Sequence, residues 1–214
     1  MADKTRVYIV DDDPAMRESL QFLLESVDLE VQAFDSAEAF LDALDPEPIG
    51  CLVVDLRMPG MSGAVLQEQL ADRAPDLPVI MVTGYGTVST AVKAMRGGAF
   101  DFIEKPINDQ ALLDRVQEAL RAAEERRRRR QAMRHYAERL ERLTRREEEV
   151  MNLIVDGMSN RQVAEKLGLS EKTVEVHRAR IMDKTEARNV VELVQLVLRL
   201  RDYEEDDVEA HPPS

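Results

Sequence analysis

The sequence has a single cysteine and no long apolar run. Cys51 is the only cysteine among 214 residues, which excludes an internal disulfide and a multi-cysteine metal site and fits a reducing compartment. No apolar run reaches the roughly 18 residues that a membrane span needs, and the first residues lack the apolar region of a signal peptide. With 44% hydrophobic and 33% charged residues, the chain has enough apolar material for globular cores. We therefore expect a soluble, cytoplasmic protein.

Acidic side chains outnumber basic ones, but the excess is unevenly distributed. The 42 acidic and 29 basic residues give a formal net charge of −13. Residues 1–120 hold 22 acidic and 9 basic side chains, so their summed field would repel nucleic acid. Residues 121–142 carry a net charge of +5, residues 143–200 of 0 and residues 201–214 of −5. Any DNA contact is therefore expected after residue 120.

Residues 1–106 alternate short apolar runs with amphipathic stretches. The runs are mostly continuous in apolarity, which is typical of strands covered on both faces. They are Arg6–Val10, Glu30–Phe34, Cys51–Asp55, Pro78–Val82 and Phe100–Ile103. The stretches between them repeat apolar side chains at helical spacing. This pattern predicts an α/β domain, a doubly wound parallel sheet of five strands with five helices.

Residues 121–142 are predicted to be a helical linker. Neither glycine nor proline occurs between Ile107 and Gly157, and good helix formers prevail. Five consecutive arginines, Arg126–Arg130, lie within this stretch. They fit a solvated helix face paired with nearby glutamates or with the acidic first domain, a DNA-phosphate patch, or a disordered hinge. The charge contrast with residues 1–120 also suggests an autoinhibitory contact.

Residues 143–200 are predicted to form a compact all-α domain of four short helices. Thr144 and Glu147 have the spacing of a capping box at the first helix start, and Ser170 fits the start of the third helix. The last helix is expected to end near residue 200. Residues 201–214 are acidic and have little to bury, so we expect a disordered tail.

Aspartates are expected to gather at the carboxyl edge of the sheet. Asp11, Asp12 and Asp13 follow the first strand, and Asp55 ends the third. Like charges at close range are unfavourable, so a cation must compensate. Mg²⁺ is favoured because it binds one or two carboxylates and keeps positions open for phosphate oxygens. A carboxylate can attack phosphorus, and Asp55 is the expected nucleophile because it stands alone on a central strand. A helix-capping role suffices for Asp13.

Four motifs in the first domain resemble the receiver domain of two-component response regulators. They are VDDDP at 10–14, DLRMPGMSG at 55–63, TGYG at 83–86 and EKP at 104–106. The resemblance implies a flavodoxin-like receiver in which a sensor histidine kinase phosphorylates Asp55. It also implies that Mg²⁺ is bound by Asp55 with Asp11, Asp12 and the backbone carbonyl of Arg57.

The same resemblance assigns roles to residues near the phosphoacceptor. Thr83 and Lys105 would contact the phosphoryl group, and Phe102 would be the switch aromatic. Phe102 lacks the hydroxyl of the tyrosine that many receivers have at this position. A cis peptide is implied between Lys105 and Pro106. Taken singly, these residues also fit a solvated turn, a helix cap or a surface charge.

Residues 143–194 resemble the helix-turn-helix domain of the LuxR, FixJ and NarL group. The motifs are LTRREEEV, SNRQVAEKLGLSEKTVEVHRARIMDK and the amphipathic helix that follows. The resemblance implies that Ser159–Leu167 is the scaffold helix and Glu171–Lys184 the recognition helix, placed in the major groove. The candidate DNA contacts are Lys172, Thr173, Glu175, Val176, Arg178, Arg180 and Lys184. The alternative for this helix is a charged, solvated face on a plain helical bundle.

The charge of the recognition helix makes dimerisation mechanistically necessary. Glu171–Arg188 has five basic and four acidic side chains, so a monomer would neutralise few phosphates. Relatives dimerise through the last helix, where Val190, Leu193, Val194 and Val197 would form the contact stripe. The alternative is that these four side chains only close the core of their own domain.

The whole sequence is thus identified as a response regulator of the FixJ/NarL type, a phosphorylation-activated transcription factor and not an enzyme. The implied partners are a sensor histidine kinase, double-stranded promoter DNA, RNA polymerase and a second copy of the chain, with no membrane. Two alternatives remain open. A Mg²⁺-dependent phosphatase would need an acid/base carboxylate two residues beyond Asp55, where Arg57 stands. A phosphorylation-independent DNA-binding or scaffold protein would not need the complete set of receiver residues.

Overall fold

The computed structural model describes residues 5–45, 47–84 and 88–210, with the side chains of residues 88, 90 and 204–210 left aside. The chain divides into two compact units, Met1–Arg127 and Arg128–Ser214. In the ranges that are described, no helix is long and apolar enough to cross a membrane.

The first unit is built on a five-stranded parallel sheet. Its strands are β1 (Arg6–Val10), β2 (Glu30–Phe34), β3 (Gly50–Asp55), β4 (Val79–Thr83) and β5 (Asp101–Glu104). Their order is β2-β1-β3-β4-β5, and every pairing is parallel. The predicted α/β fold is confirmed, with each strand within one residue of the expected position.

Helices cover both faces of this sheet. They are α1 (Pro14–Glu25), α2 (Ala37–Ala43), α3 (Gly63–Arg73), α4 (Val88–Arg96) and α5 (Asp109–Glu141). Alternate residues of a strand point to opposite faces, so β1 supplies Tyr8 and Val10 to one apolar core and Val7 and Ile9 to the other. Both cores are buried, which explains why the strands are continuous in apolarity.

Helix α5 continues well beyond the receiver sheet in sequence. Residues 121–141 are helical, as predicted for the linker, and a disordered hinge at Arg126–Arg130 is wrong because these residues belong to the same helix. The second compact unit already begins at Arg128 rather than at residue 143. The reason is that Met133 is buried and that Tyr136 and Leu140 pack against the core of this unit.

The second unit is all-α, as predicted. After the last part of α5 it contains α6 (Arg145–Val155), α7 (Asn160–Leu167), α8 (Glu171–Thr185) and α9 (Val190–Ala210). The capping box at the start of α6 is confirmed, because the Thr144 hydroxyl accepts from Glu147 N and the Glu147 carboxylate accepts from Thr144 N. Helices α7 and α8 are the expected helix-turn-helix pair.

Helix α9 is longer than predicted. A disordered tail was expected from residue 201, but the helix reaches Ala210, so that prediction is wrong for residues 201–210; residues 211–214 lie outside the described part. Two contacts anchor the extension. The Arg201 guanidinium donates to Asn152 of α6 at 2.9 Å, and the Tyr203 ring lies 5.7 Å from the Arg129 guanidinium of α5.

Candidate functional site

Two buried carboxylates meet at the carboxyl edge of the sheet. Asp11 follows β1 and Asp55 ends β3, and these strands are neighbours in the sheet. The residues are 2% and 7% exposed, respectively. Burying two like charges side by side is unfavourable unless a positive group lies between them.

Lys105 supplies that positive group. Its ammonium Nζ lies 2.9 Å from Asp11 Oδ2 and 2.7 Å from Asp55 Oδ1. Burial lowers the pKa of Lys105, but the hydrogen bonds to Asp55 and Asp11 outweigh burial, so that its pKa is raised and the side chain stays charged. Lys105 N donates to Thr83 O at 2.8 Å, and the Lys105–Pro106 peptide is cis, as expected. Lys105, which was expected to contact the phosphoryl group, thus bonds directly to Asp55.

The second carboxylate oxygen of Asp55 faces the loop after β3. Asp55 Oδ2 accepts a hydrogen bond from Arg57 N at 2.7 Å. Further along, Gly63 begins α3 so close to the strand that a Cβ on it would lie 2.4 Å from Asp55 O. Only glycine fits this approach, so the loop is held tightly around the phosphoacceptor candidate.

The remaining residues of the predicted site differ in their exposure to solvent. Asp12 is exposed at the rim, and Thr83 is buried at the end of β4. Asp13 caps α1, with its carboxylate accepting from Ala15 N at 2.9 Å, so the capping role is confirmed. Phe102 is half-buried on β5 and packs against the apolar core. Residues 85 and 86 of the TGYG motif lie outside the described residues.

The sequence reasoning missed Arg17. Its guanidinium Nη1 donates to the backbone carbonyl of Asp11 at 2.7 Å, from one turn into α1. Asp11 Oδ1 in turn accepts from Asp13 N at 2.9 Å. The backbone and the side chain of Asp11 are therefore both fixed. No motif signalled this contact, because an arginine on an exposed helix start is common on protein surfaces.

The donor set at the rim suits a hard divalent cation. Asp11 and Asp55 carry two negative charges against the single charge of Lys105, and Asp12, the next residue after Asp11, is exposed to solvent. The described residues hold no cluster of three or more His, Cys, Asp or Glu side chains already gathered as a metal site. Mg²⁺ does not need one, since it binds through one or two carboxylates and retains several waters. The residues present therefore fit Mg²⁺.

Helix α8, the predicted recognition helix, presents both charged and apolar side chains at its surface. Ser170 caps its start, and Lys172, Glu175, Val176 and Arg180 are exposed. The other two candidates in its first half are engaged locally. Thr173 shares a hydrogen bond of 2.8 Å with Ser170 Oγ, and Arg178 donates to Asn160 Oδ1 of the scaffold helix at 3.0 Å.

Lys184 has a different role from the one expected. Its ammonium lies 2.7 Å from the carboxylate of buried Glu147, which also accepts from the backbone and hydroxyl of Thr144. The hydrogen bond from Lys184 and the backbone hydrogen bond from Thr144 lower the pKa of Glu147 to about 2. Lys184 thus joins the end of the recognition helix to the start of α6, and a phosphate contact from it is not supported.

The predicted dimerisation stripe on α9 is only partly available. Leu193 and Val197 are 0% and 3% exposed in the core of their own unit, so their assignment to a dimer contact is wrong. Val190 and Val194 are half-buried, and Val190 packs against the same core. The outward face of α9 instead carries Val191 and Leu198, which are 65% and 45% exposed. These two residues were missed because apolar residues occur on both faces of the helix.

Comparisons with known proteins agree with both units. Residues 7–117 match the response regulator receiver domain, and residues 141–197 match the bacterial regulatory proteins of the luxR family. The transcriptional regulatory protein FixJ of Bradyrhizobium diazoefficiens is 41% identical over 199 residues, which cover 93% of this chain and 97% of that protein. FixJ of Azorhizobium caulinodans is 44% identical over 198 residues, 92% of this chain and 94% of that protein.

A solved structure shows the same domain combination. The response regulator StyR superposes with a TM-score of 0.82 at 43% identity, covering 92% of this chain and 99% of StyR. This match, like those to the two FixJ proteins, covers more than nine tenths of this chain. The protein therefore belongs to the two-component response regulators of the FixJ/NarL type, and it is a DNA-binding transcriptional regulator rather than an enzyme.

Proposed function

We propose that a sensor histidine kinase phosphorylates Asp55 and that the phosphorylated chain dimerises and binds promoter DNA. The observation that carries this proposal is the charged Lys105 ammonium bridging the buried carboxylates of Asp11 and Asp55. This arrangement places a nucleophile, the Asp55 carboxylate, beside a cation, the Lys105 ammonium, at the carboxyl edge of the sheet. Both the kinase domain and DNA are reached in the cytoplasm, where we expect the protein to act.

The chemistry follows from the positions of these side chains. An oxygen of Asp55 attacks the phosphorus of a phosphohistidine, the O–P bond forms, and the N–P bond breaks with its electron pair returning to the imidazole. Lys105, whose pKa is raised, keeps its proton and offsets the charge on the phosphoryl oxygens. The Thr83 hydroxyl donates a hydrogen bond to the same group.

The rim residues would hold the metal ion. Asp11, Asp12, Asp55 and the backbone carbonyl of Arg57 would be the donors, and bound Mg²⁺ would supply positive charge that offsets the charge of the phosphoryl group. The protein's own part is to keep Asp11 fixed through Arg17 and Asp55 fixed through the N–H of Arg57.

Phosphorylation at the carboxyl edge of the sheet changes the conformation of residues on β4 and β5. Thr83 ends β4, and Phe102 lies on β5 opposite Met81 of β4. As Thr83 moves toward the phosphoryl group, Phe102 turns into the space that Thr83 leaves. The surface formed by α4, β5 and α5 then changes shape, and two receivers pair through it. Val92 and Met95 are exposed on α4 and give this surface an apolar component.

Dimerisation compensates for the low net positive charge of a single recognition helix. Lys184 is bound to Glu147, and Arg188 to Glu192 at 3.1 Å, so fewer cations remain for phosphates than composition suggests. Two linked recognition helices on two half-sites gain affinity from their effective concentration. Exposed Val176 can contact a thymine methyl, and Glu175 can accept from cytosine N4. RNA polymerase is the expected partner at the promoter.

Labelling with a phosphodonor tests this proposal. Incubation with acetyl phosphate and Mg²⁺ is expected to leave a stable, stoichiometric phosphoryl group on Asp55. Turnover without a stable label would indicate a phosphatase instead. A complete lack of label would indicate a receiver that does not accept phosphate.

The exposed face of α9 is proposed as the contact between paired DNA-binding units. The double variant Val191→Ser with Leu198→Ser is expected to weaken binding of the phosphorylated protein to a two-half-site promoter by about 10-fold, because an apolar interface centre is lost. Affinity for a single half-site should stay within about two-fold, since neither side chain is needed in the core. Titration of labelled DNA measures both.

Val65→Ser provides the matched control for this prediction. Val65 is exposed to a similar extent but lies on α3 of the receiver. If the α9 double variant bound the two-half-site promoter as tightly as the Val65 variant, this face of α9 would not be the interface.

A further inference from the structure

Gln67 is a buried polar side chain in the middle of α3, where it is 6% exposed. Its amide nitrogen Nε2 lies 2.5 Å from the carbonyl oxygen of Gly97 and 3.4 Å from that of Ala94. An amide NH₂ group has two hydrogens, so one side chain can donate to both carbonyls. Gln67 is therefore bound to the C-terminal end of α4.

The end of α4 is shaped to receive this amide. The Ala94 carbonyl lies in the last turn of α4 and also accepts from Ala99 N at 3.0 Å, and Gly97 directly follows the helix, so the short bond to Gly97 O is the main contact of the amide. Gly98 has a φ of 88°, which ends the helix in a left-handed turn that favours glycine. A Cβ on Gly97 or Gly98 would lie 3.6 Å or 3.7 Å from Gln67 Nε2, so the amide packs directly on these two glycines.

The same face of α3 contacts the phosphoacceptor strand. Gly63 packs against the backbone of Asp55, and Gly63 N donates to Leu56 O at 3.2 Å. Gly63 and Gln67 are four residues apart and lie one above the other on one face of the helix. Helix α3 therefore contacts the backbone around Asp55 with its first turn and the end of α4 with its second.

We propose that Gln67 is a positioning residue that holds α4 in the arrangement where Lys105 bonds directly to Asp55, here called the resting arrangement. This inference rests on the proposed function. The start of α4 follows Thr83 by a short connection, and its end is held by Gln67. Movement of Thr83 toward a phosphoryl group pulls on α4 at one end, while the Gln67 amide resists at the other.

The Gln67 amide affects the switch because its hydrogen bonds differ between the two arrangements. A contact shifts a conformational equilibrium only by the difference that it makes between the states. A shift of α4 would break the bonds of 2.5 Å to Gly97 O, directly after α4, and of 3.4 Å to Ala94 O in its last turn. Removal of these bonds should therefore raise the fraction of unphosphorylated protein that is competent to dimerise by about 3- to 10-fold. This factor corresponds to the net contribution of one hydrogen bond or slightly more.

The test uses the full-length variant Gln67→Met, which keeps the length of the side chain and removes the donor. The dimer dissociation constant is measured by analytical ultracentrifugation before and after acetyl phosphate treatment. For Gln67→Met the constant of the untreated protein should fall about 3- to 10-fold, while that of the phosphorylated protein changes less than about two-fold. Gln69→Met, two residues along the same helix, should behave as wild type in both measurements.

The outcomes separate the two proposals. If the ratio of the two dissociation constants were unchanged in Gln67→Met, including a parallel shift of both, Gln67 would be structural only and the inference would be wrong. If wild type took up no phosphate on Asp55, the proposed function would fail, and equal dissociation constants of untreated Gln67→Met and wild type would separately overturn the inference about Gln67. Should Gln67→Met not fold, Gln67→Asn, whose shorter amide cannot span the distance, serves in the same comparison.

Discussion

The Asp55→Asn variant should bind a two-half-site promoter no more tightly after phosphodonor treatment than before it. Asparagine has nearly the same shape, but its amide is not a nucleophile toward phosphorus, so no phosphoryl group is attached. Pairing through effective concentration can raise affinity by about 10²-fold or more, and the treated variant should lose that gain. Fluorescence anisotropy of labelled promoter DNA measures both affinities.

The exposed Asp72 on α3 gives the control for this comparison. Asp72→Asn removes one negative charge from the same domain and should retain the full response to the phosphodonor, since Asp72 is exposed near the C-terminal end of α3, opposite the end at which Gly63 packs on Asp55. Equal stimulation of wild type and Asp55→Asn would mean that the response does not pass through Asp55.

Glu147→Gln should destabilise the DNA-binding unit by about 2 kcal/mol. The hydrogen bonds from Lys184 and Thr144 lower the pKa of Glu147 to about 2, and a tenfold change in an acid dissociation constant corresponds to about 1.4 kcal/mol. The expected loss is smaller than the full change in pKa implies, because Lys184 is partly exposed and solvent screens its attraction. Hydrogen exchange of the α6 and α8 amides measures the free energy of unfolding of this unit. As the control, Glu148→Gln at an exposed position should change that free energy by less than about 0.5 kcal/mol.

The same ion pair predicts a pH dependence with a definite sign. A carboxyl group whose pKa is lowered on folding stabilises the fold above its unfolded pKa. The contribution of Glu147 should therefore be complete above about pH 5 and should be lost as the pH falls toward 2. In Glu147→Gln this part of the pH dependence should be absent. An identical acid profile for the variant and wild type would show that Glu147 is not the titrating group.

The receiver fold and its pocket were predictable because their signals are local in sequence. Each strand of a buried parallel sheet is a short, continuous apolar run, and the carboxyl ends of such strands meet at one edge. Asp11, Asp55 and Lys105 follow their strands directly, so the topology brings them together without further information. The helix caps were equally predictable, because a cap satisfies backbone groups within three residues; they are the Thr144–Glu147 capping box and the Ser170 cap.

The missed features depend on contacts between residues far apart in sequence. Lys184 pairs with Glu147 across 37 positions, which composition cannot distinguish from a phosphate-binding lysine. Periodicity marks apolar residues on α9 but does not tell which face the core covers, so Leu193 was assigned to the dimer contact and Val191 was not. Gln67 was not identified at all, because a single polar residue in an amphipathic helix normally faces solvent.

The extension of α9 shows a further limit of composition. An acidic segment with few apolar residues predicts disorder, yet the helix is propagated from an ordered start and costs little per added residue. Two contacts hold the extension: the hydrogen bond from Arg201 to Asn152 and the cation–π contact between Tyr203 and Arg129. Neither contact has a signal in the local sequence.

The central claim is that the phosphoryl group on Asp55 controls promoter binding, and a decay experiment tests it most directly. Wild-type protein is phosphorylated, the donor is removed, and the same sample is followed by intact mass and by DNA binding. The account predicts that the mass of one phosphoryl group, located on the Asp55 peptide, and the high-affinity binding disappear with the same rate constant. Promoter binding that persisted after the phosphoryl group had gone, or that rose without any added mass, would contradict it.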